Sequence, residues 1–376
     1  MSPLDRDRLS EALALAETSF GLTEPNPRIG CVIGHADGRV LGRGATQQAG
    51  GPHAEVMALR DARAAGHDVR GASVWVTLEP CAHHGRTPPC CDALIAAGIA
   101  RVVVALADPF PQVNGAGMAR LRAAGMAVEM ADADLADAAR DINIGFFSRV
   151  QRGRPWVRLK VAASLDGATA LPGGQSQWIT GEAARRDGHA WRRRASAVLT
   201  GIGTVLADDP QLDVRWVPTP AQPARVIVDS RFRLPPAARL LQTPGRVEVF
   251  GAVDPATATP ALRASRATLH RLPGTDGRVD LAALMQTLAD AGTNELHVEA
   301  GAVLNGALLQ AGLVDEILVY LAPRLLGPGR PWAQLPALQH LSDSLDLTVR
   351  DLRLVGADLR ILARCVPRTT GAAVGD

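Results

Sequence analysis

The sequence predicts an α/β protein built as two domains, and three observations carry that expectation. At 376 residues the chain is long enough for two separate cores. Between residues 50 and 106, strand-length apolar runs alternate with segments of helical character. A basic stretch containing Gly and Pro, Phe147 to Pro155, then interrupts the pattern. Beyond it strands and helices alternate again, as in a three-layer α/β domain. The expected domains are therefore 1–148 and 155–366, with a frayed tail from 367. No convincing internal repeat is present.

The elements follow in order. Gly50-Gly51-Pro52 leads into Val56, Met57 and Leu59, and Pro52 suits the opening of a helix carrying His53 and Glu55. Val74 to Leu78 is a β-rich run, read as a buried strand that ends at Glu79-Pro80-Cys81. Cys90 to Ile95 reads as the next helix, closed by Gly98, and Arg101 to Leu106 as another strand. Leu135 to Ile142 is helix-like, and Trp156 to Val161 is the strand that opens the second pattern. Arg225 to Ser230 is a buried strand ending in two polar residues. Leu296 to Glu299 is another, followed by Ala300-Gly301 and a helical Val303 to Leu309. A strand, a glycine turn and a helix N-terminus make a cradle for phosphate. Thr200 to Thr204 also lets backbone approach a ligand, although Leu206 breaks the full Gly-x-Gly-x-x-Gly pattern. Read alone, each glycine turn is more often only a turn.

Chemistry concentrates in the first half. His53, Cys81 and Cys90 are three ligands suited to Zn²⁺, and three protein ligands leave a fourth position open for water. Glu55, two residues after the histidine, stands where zinc base deaminases carry a proton-transfer glutamate. Bound zinc lowers the pKa of water to about 7, so the pattern reads as hydrolytic deamination. Two other readings stay open: buried core residues, or a closed structural site with Cys91 or His84 as fourth ligand. The eight-residue gap selects Cys90 over Cys91 as ligand.

Composition excludes several classes. A net charge of +2 and 13 aromatic residues argue against a nucleic-acid surface. No stretch approaches 18 uninterrupted apolar residues, so no membrane span is expected. The N-terminus lacks the apolar core of a signal peptide. Five cysteines, two of them claimed by zinc, suit a reducing cytoplasm, with Cys31 and Cys365 as buried thiols.

Several motifs recur in order along nearly the whole chain: Asn26-Pro27-Arg28-Ile29-Gly30, His53-Ala54-Glu55, Thr77 to Cys90, Ser164-Leu165-Asp166-Gly167, Ser176 to Thr180 and Val205 to Pro210. Together they resemble the bifunctional deaminase/reductases of riboflavin biosynthesis. The resemblance implies a cytidine-deaminase-like N-terminal domain and a dihydrofolate-reductase-like C-terminal domain. The first would remove the 2-amino group of 2,5-diamino-6-ribosylamino-4(3H)-pyrimidinone 5′-phosphate with zinc, and the second would use NADPH to reduce ribosyl to ribityl. It implies His53, Cys81 and Cys90 as zinc ligands and Glu55 as proton shuttle. Asn26, Arg86, Ser176, Arg192, Leu212, Arg215 and Glu299 would contact substrate. Ala162, Trp178, Thr204, Asp208, Ser230 and the turn Gly301, Ala302, Val303, Leu304 and Asn305 would contact the cofactor. The expected partner is the phosphorylated substrate, with no nucleic acid and no membrane, in a cytoplasmic homo-oligomer, dimer or tetramer. Thr46, Phe110 and Ala116 depart from the family's usual His, Asn and Arg, where deaminase substrate contacts are expected.

Overall fold

The computed structural model describes residues 1–82, 88–110 and 114–366. They form two compact units: Met1–Arg154 with Gly292–Asn294, and Pro155–Ala291 with the residues from Glu295 on.

The first unit runs α1 (Pro3–Thr18), β1 (Gly30–Gly34), β2 (Val40–Ala45), α2 (Ala54–Ala64), β3 (Ser73–Val76), α3 (Cys90–Ala96), β4 (Arg101–Val104), α4 (Ala116–Ala123), β5 (Ala127–Met130), α5 (Ala133–Ile142) and α6 (Ile144–Arg152). Its sheet has the order β2-β1-β3-β4-β5. The β1 strand is antiparallel to β2 and β3, whereas β3, β4 and β5 are parallel. Val74–Val76 and Val102–Val104 are buried, as the unbroken apolar runs require of central strands. The α1 helix opens on a Ser2–Asp5 capping box, and Asp5 also accepts from the Trp75 indole at 2.8 Å, tying helix to sheet. The α2 helix packs almost backbone to backbone on β2. A Cβ at Gly42 would lie 2.3 Å from the Ala58 carbonyl oxygen, and one at Gly44 2.1 Å from that of Ala54. These glycines fix the depth of α2, and with it the height of the His-x-Glu pair.

Three readings need correction. The stretch 147–155 is helical up to Arg152, because the first turn of α6, Ile144 to Ser148, is buried all round. His53 is not inside the helix but is the N-cap of α2, with extended backbone, so Pro52 lies one position before the cap. Cys31 is buried, but Cys365 is only partly so.

The second unit runs β6 (Trp156–Ser164), β7 (Ala168–Ala170), α7 (Glu182–Arg194), β8 (Ala197–Gly201), α8 (Ile202–Asp208), β9 (Ala224–Val228), β10 (Val247–Gly251), α9 (Pro260–Arg263), β11 (Thr268–Arg271), α10 (Leu281–Asp290), β12 (Glu295–Val298), α11 (Ala302–Gln310), β13 (Glu316–Ala322), β14 (Arg330–Pro331), β15 (Leu347–Val355) and β16 (Asp358–Cys365). Nine strands form one sheet in the order β11-β10-β9-β8-β12-β6-β13-β16-β15, and β7 pairs with β14 apart from it. From β11 to β13 every pairing is parallel, so the carboxyl ends of those strands share one edge, where α/β sheets bind ligands. Beneath the sheet's centre Arg158 is fully buried. It donates to Glu316 at 2.6 Å and Glu295 at 2.9 Å, with its guanidinium over the Trp191 ring. Arg194 of α7 reaches Glu295 as well, at 2.8 Å, so ion pairs lock this helix onto β6, β12 and β13.

Candidate active sites

In the first unit, the start of α2, the loop after β3 and the start of α3 deliver His53, Cys81 and Cys90 to one point. His53 Nδ1 faces both sulfurs, 3.2 Å from Cys90 Sγ and 3.7 Å from Cys81 Sγ. The three ligand atoms lie within 4.8 Å of one another, and they are the one such His/Cys/Asp/Glu group among the described residues. Tetrahedral zinc with thiolate and imidazole ligands sets such atoms about 3.5–3.8 Å apart, so the donor set fits zinc in chemistry and in spacing. The Cys90 backbone N–H donates to Cys81 Sγ at 3.3 Å. The thiol hydrogen bond of Cys90, with His53 beside it, holds Cys81 well below the ordinary thiol range. Cys81 in turn pushes Cys90 up.

Glu55, in the first turn of α2, is 1% exposed, and its Oε2 has no hydrogen-bond partner. Burial raises its carboxyl to about 7. An orphaned buried carboxylate oxygen beside the metal-ligand candidates is what a proton carrier requires. Cys91 points elsewhere: its Sγ faces the carbonyls of Pro80 at 3.3 Å and Gly117 at 3.5 Å, which removes it as a fourth ligand. His84 and Arg86 lie outside the described residues. Asn26 sits in the turn before β1, its N–H bonded to the Thr23 carbonyl. Thr46 is buried, with its N–H on the Ile29 carbonyl, whereas Phe110 is 36% exposed.

One residue of this unit escaped the sequence reading. Glu79 is buried, and its carboxylate accepts from the backbone N–H groups of Asp108, Gly115, Gly117 and Met118 at 2.9–3.3 Å. It anchors the chain just ahead of Cys81 to the start of α4. Its place in Glu79-Pro80-Cys81 marks it as a neighbour of the ligand but not as a tether.

In the second unit a cavity of about 870 Å³ opens at the carboxyl ends of the strands. Ser176, Thr204, Asp208, Ser230 and Gly301 to Leu304 all line it, together with Gly201 and Gly203. A Cβ at Gly203 would meet nothing within 4 Å, and one at Gly301 only Thr204 Oγ1 at 3.8 Å. Neither glycine is demanded by packing, and Gly301 has an ordinary φ of −79°. What they leave open is the approach of a ligand to backbone at the starts of α8 and α11, so the groove fits a dinucleotide. Ala162, Trp178 and Asn305 do not line this cavity. Trp178 is exposed, and the buried Asn305 amide is committed to the carbonyls of Ala300 at 3.0 Å and Trp332 at 2.7 Å.

The remaining candidates gather at Glu299, at the end of β12. Arg192 donates to it twice, at 2.5 and 2.8 Å, and once to the Asp213 carbonyl at 2.9 Å. Lys160 Nζ is 3.9 Å from Glu299 Oε2 and His297 Nε2 3.3 Å from Oε1. Burial pushes Glu299 up, but Arg192 and Lys160 outweigh it and hold the carboxyl well below its ordinary range. Leu212 and Arg215 flank Asp213, whose carboxylate pairs with Arg215 at 2.5 Å. His297, fully buried behind Glu299, gave no signal beyond its strand position.

Comparison with known proteins agrees with both geometries. Residues 3–106 match the cytidine and deoxycytidylate deaminase zinc-binding region, and residues 155–361 match the RibD C-terminal domain. The riboflavin biosynthesis protein RibD of Escherichia coli K12 is 45% identical over 94% of this chain and 98% of its own. This chain belongs to the RibD family. The RibD of Aquifex aeolicus is 38% identical over 95% of this chain and 98% of its own. Acinetobacter baumannii RibD, a solved structure, superposes with a TM-score of 0.86 at 41% identity, covering 97% of this chain and 99% of that one. The Thermotoga maritima protein, described as a diaminohydroxyphosphoribosylaminopyrimidine deaminase/5-amino-6-(5-phosphoribosylamino)uracil reductase, gives 0.86 at 31% identity over 96% and 99%. The fold is that of RibD: a cytidine-deaminase-like domain followed by a dihydrofolate-reductase-like one. As in RibD, the enzyme is a hydrolase and an oxidoreductase in one chain, with zinc serving the first activity and NADPH the second. No helix among the described residues is long and apolar enough to cross a membrane.

Proposed function

We propose that the chain deaminates 2,5-diamino-6-ribosylamino-4(3H)-pyrimidinone 5′-phosphate and then reduces the ribosyl group of the product to ribityl. The observation that carries the first step is the convergence of His53, Cys81 and Cys90 beside the orphaned Glu55 Oε2. When bound by these residues, zinc supplies the Lewis acidity that makes water a nucleophile at neutral pH. Glu55 takes the proton released by that water and returns it to the departing 2-amino group, which leaves as ammonia. Burial raises this carboxyl above its ordinary range, which favours its taking up the proton it must pass on. Arg86 and Asn26 are proposed to contact the substrate.

For the second step NADPH supplies the hydride, held by Thr204, Asp208, Ser230 and the turn from Gly301 to Leu304. Arg215 is exposed, with Asp213 as its ion-pair partner and the Trp216 ring beneath its guanidinium, so it is the freer guanidinium for the sugar phosphate. Arg192 has most of its donors committed to Glu299 and Asp213, and its role is to hold Glu299 ionised and aimed at the ribose hydroxyls. Ser176 and Leu212 complete the substrate contacts, and Trp178 and Ala162 the nicotinamide end. We further propose a cytoplasmic homo-oligomer, a dimer or tetramer. The absence of disulfides among five cysteines supports the compartment. The exposed Leu347, Val349, Leu352 and Leu354 of edge strand β15 support self-association.

The test is NADPH oxidation with the diaminopyrimidine phosphate, alongside ammonia release. Gly301→Val should weaken NADPH binding with the fold intact, because the new side chain enters open space and needs no unusual φ. Unchanged NADPH affinity in that variant would move the cofactor away from this turn.

A further inference from the structure

Three nitrogen-bearing side chains lie along one face of α7, and the reaction as described uses only the last. Arg185, His189 and Arg192 follow the spacing i, i+4, i+7, and Arg192 is the one that holds Glu299. Another face anchors the helix without them. Asp187 accepts from the Tyr320 hydroxyl at 2.6 Å and from Arg360 at 2.9 Å, while Ala184 and Trp191 pack with Leu318 and Tyr320. Arg185 and His189 are therefore not needed to dock α7 on the sheet.

Arg185 is engaged by rings, not by acids. Its guanidinium carbon lies 4.6 Å from the centre of the Trp178 ring and 5.6 Å from that of Trp216. Nη1 donates to the Thr180 carbonyl at 2.7 Å, whereas the buried Nε has no hydrogen-bond partner. Glu182, at the start of the same helix, stands 4.0 Å from Arg186 instead. A planar, weakly hydrated cation bridging two indoles fixes one against the other, as a lysine ammonium does less well. His189 backs the second ring. It is buried and tilted against Trp216 at 5.0 Å, and its Nδ1 accepts from the Arg215 N–H at 3.4 Å. Burial, with Arg192 and Arg215 nearby, lowers its pKa to about 4, so the ring stays neutral and Nδ1 stays an acceptor. The two indoles belong to separate segments of the second unit. Trp178 lies two residues past Ser176, which lines the cavity, and Trp216 directly follows Arg215.

We propose that Arg185 is a positioning residue of the reductase: by bridging Trp178 and Trp216 it sets the nicotinamide end of the cofactor against the segment that presents Arg215 to the sugar phosphate. The proposal rests on the reading of Trp178 as a cofactor contact and of Arg215 as a substrate contact. Arg185 touches neither ligand. Its effect is on the separation of hydride donor and acceptor, to which transfer is steeply sensitive.

Steady-state NADPH oxidation on the already deaminated pyrimidine phosphate tests this in the full chain. Arg185→Leu, Arg185→Lys, Trp216→Leu and the double variant Arg185→Leu/Trp216→Leu are compared with wild type. Ammonia release from the diamino substrate and calorimetric affinity for ADP, which lacks nicotinamide, serve as controls. The expected result for Arg185→Leu is a kcat lower by about 10–100-fold and a raised KM for the pyrimidine phosphate, with both controls unchanged. Arg185→Lys should resemble Arg185→Leu more than wild type, because it keeps the charge and loses the planar bridge. Trp216→Leu should reproduce the loss, and the double variant should be no worse than the worse single one, as for two parts of one unit. A near-normal kcat in Arg185→Leu, full rescue by Arg185→Lys, or losses that simply add in the double variant overturns the proposal. Loss of ADP affinity in step with kcat overturns it as well, since that marks general damage to the second unit. Wild-type protein that binds ADP but gains nothing from the nicotinamide half overturns the reading of Trp178 on which the proposal rests.

Discussion

At the scale of single residues, the deaminase chemistry hangs on one carboxylate. Glu55→Gln preserves shape and packing but cannot carry a proton, so deamination should fall by about 10²–10⁴ while zinc stays bound. Zinc content by atomic absorption and ammonia release on the same sample check this. Near-normal turnover at full zinc occupancy would remove Glu55 from the mechanism. This part of the site was legible because residue type and spacing alone encode it: His53, Glu55, Cys81 and Cys90 need only two helix starts and a strand end to meet. Glu79 and His297 were not legible. The function of Glu79 depends on α4, more than 35 positions away, turning its N-terminus toward it, and no local pattern announces that. Arg192 was legible as a substrate cation but not as the partner that saturates Glu299, which only the meeting of α7 with β12 creates.

At the scale of elements, the metal-bearing segment is held by helices and strands that carry no ligand. The Glu79 carboxylate ties the end of β3 to the start of α4 through the N–H groups of Gly115, Gly117 and Met118, donors that a helix start leaves free, and to the loop after β4 through that of Asp108. Glu79→Ala strands those buried donors and should destabilise the first unit by about 2–4 kcal/mol. Because Cys81 is two residues away, zinc affinity should fall as well, by about 10–100-fold, as when an outer partner of a metal site is lost. Urea denaturation and competition with a zinc-binding dye read the two effects separately. A variant with unchanged midpoint and unchanged affinity would show that the tether is dispensable. Element types were readable from apolar periodicity, but ends were less so. The run 147–155 reads as a domain boundary that breaks the pattern, from its Gly, Pro and basic residues. It is mostly helix because Ile144 to Ser148 find a core to bury against, which is a tertiary fact.

At the scale of the whole molecule, the two activities are separable in their chemistry. All three zinc-ligand candidates and Glu55 belong to the first unit, and every residue lining the dinucleotide cavity lies between Thr169 and Pro331 in the second. Each unit has its own hydrophobic core: Leu9 to Phe147 build one, and Val157 to Ile317 build the main cluster of the other. Hydride transfer depends on positioning and needs no metal. Chelating zinc should therefore abolish ammonia release from the diamino substrate while NADPH oxidation on the already deaminated substrate continues at its former rate. Metal binding also stabilises the fold that makes its site, so the chelated protein should show a lower unfolding midpoint for the first unit alone. Calorimetry should then separate one transition that moves with zinc from one that moves with NADPH. Parallel loss of both activities, with the NADPH-sensitive transition still in place, would sink this independence and require the metal to act on the reductase half.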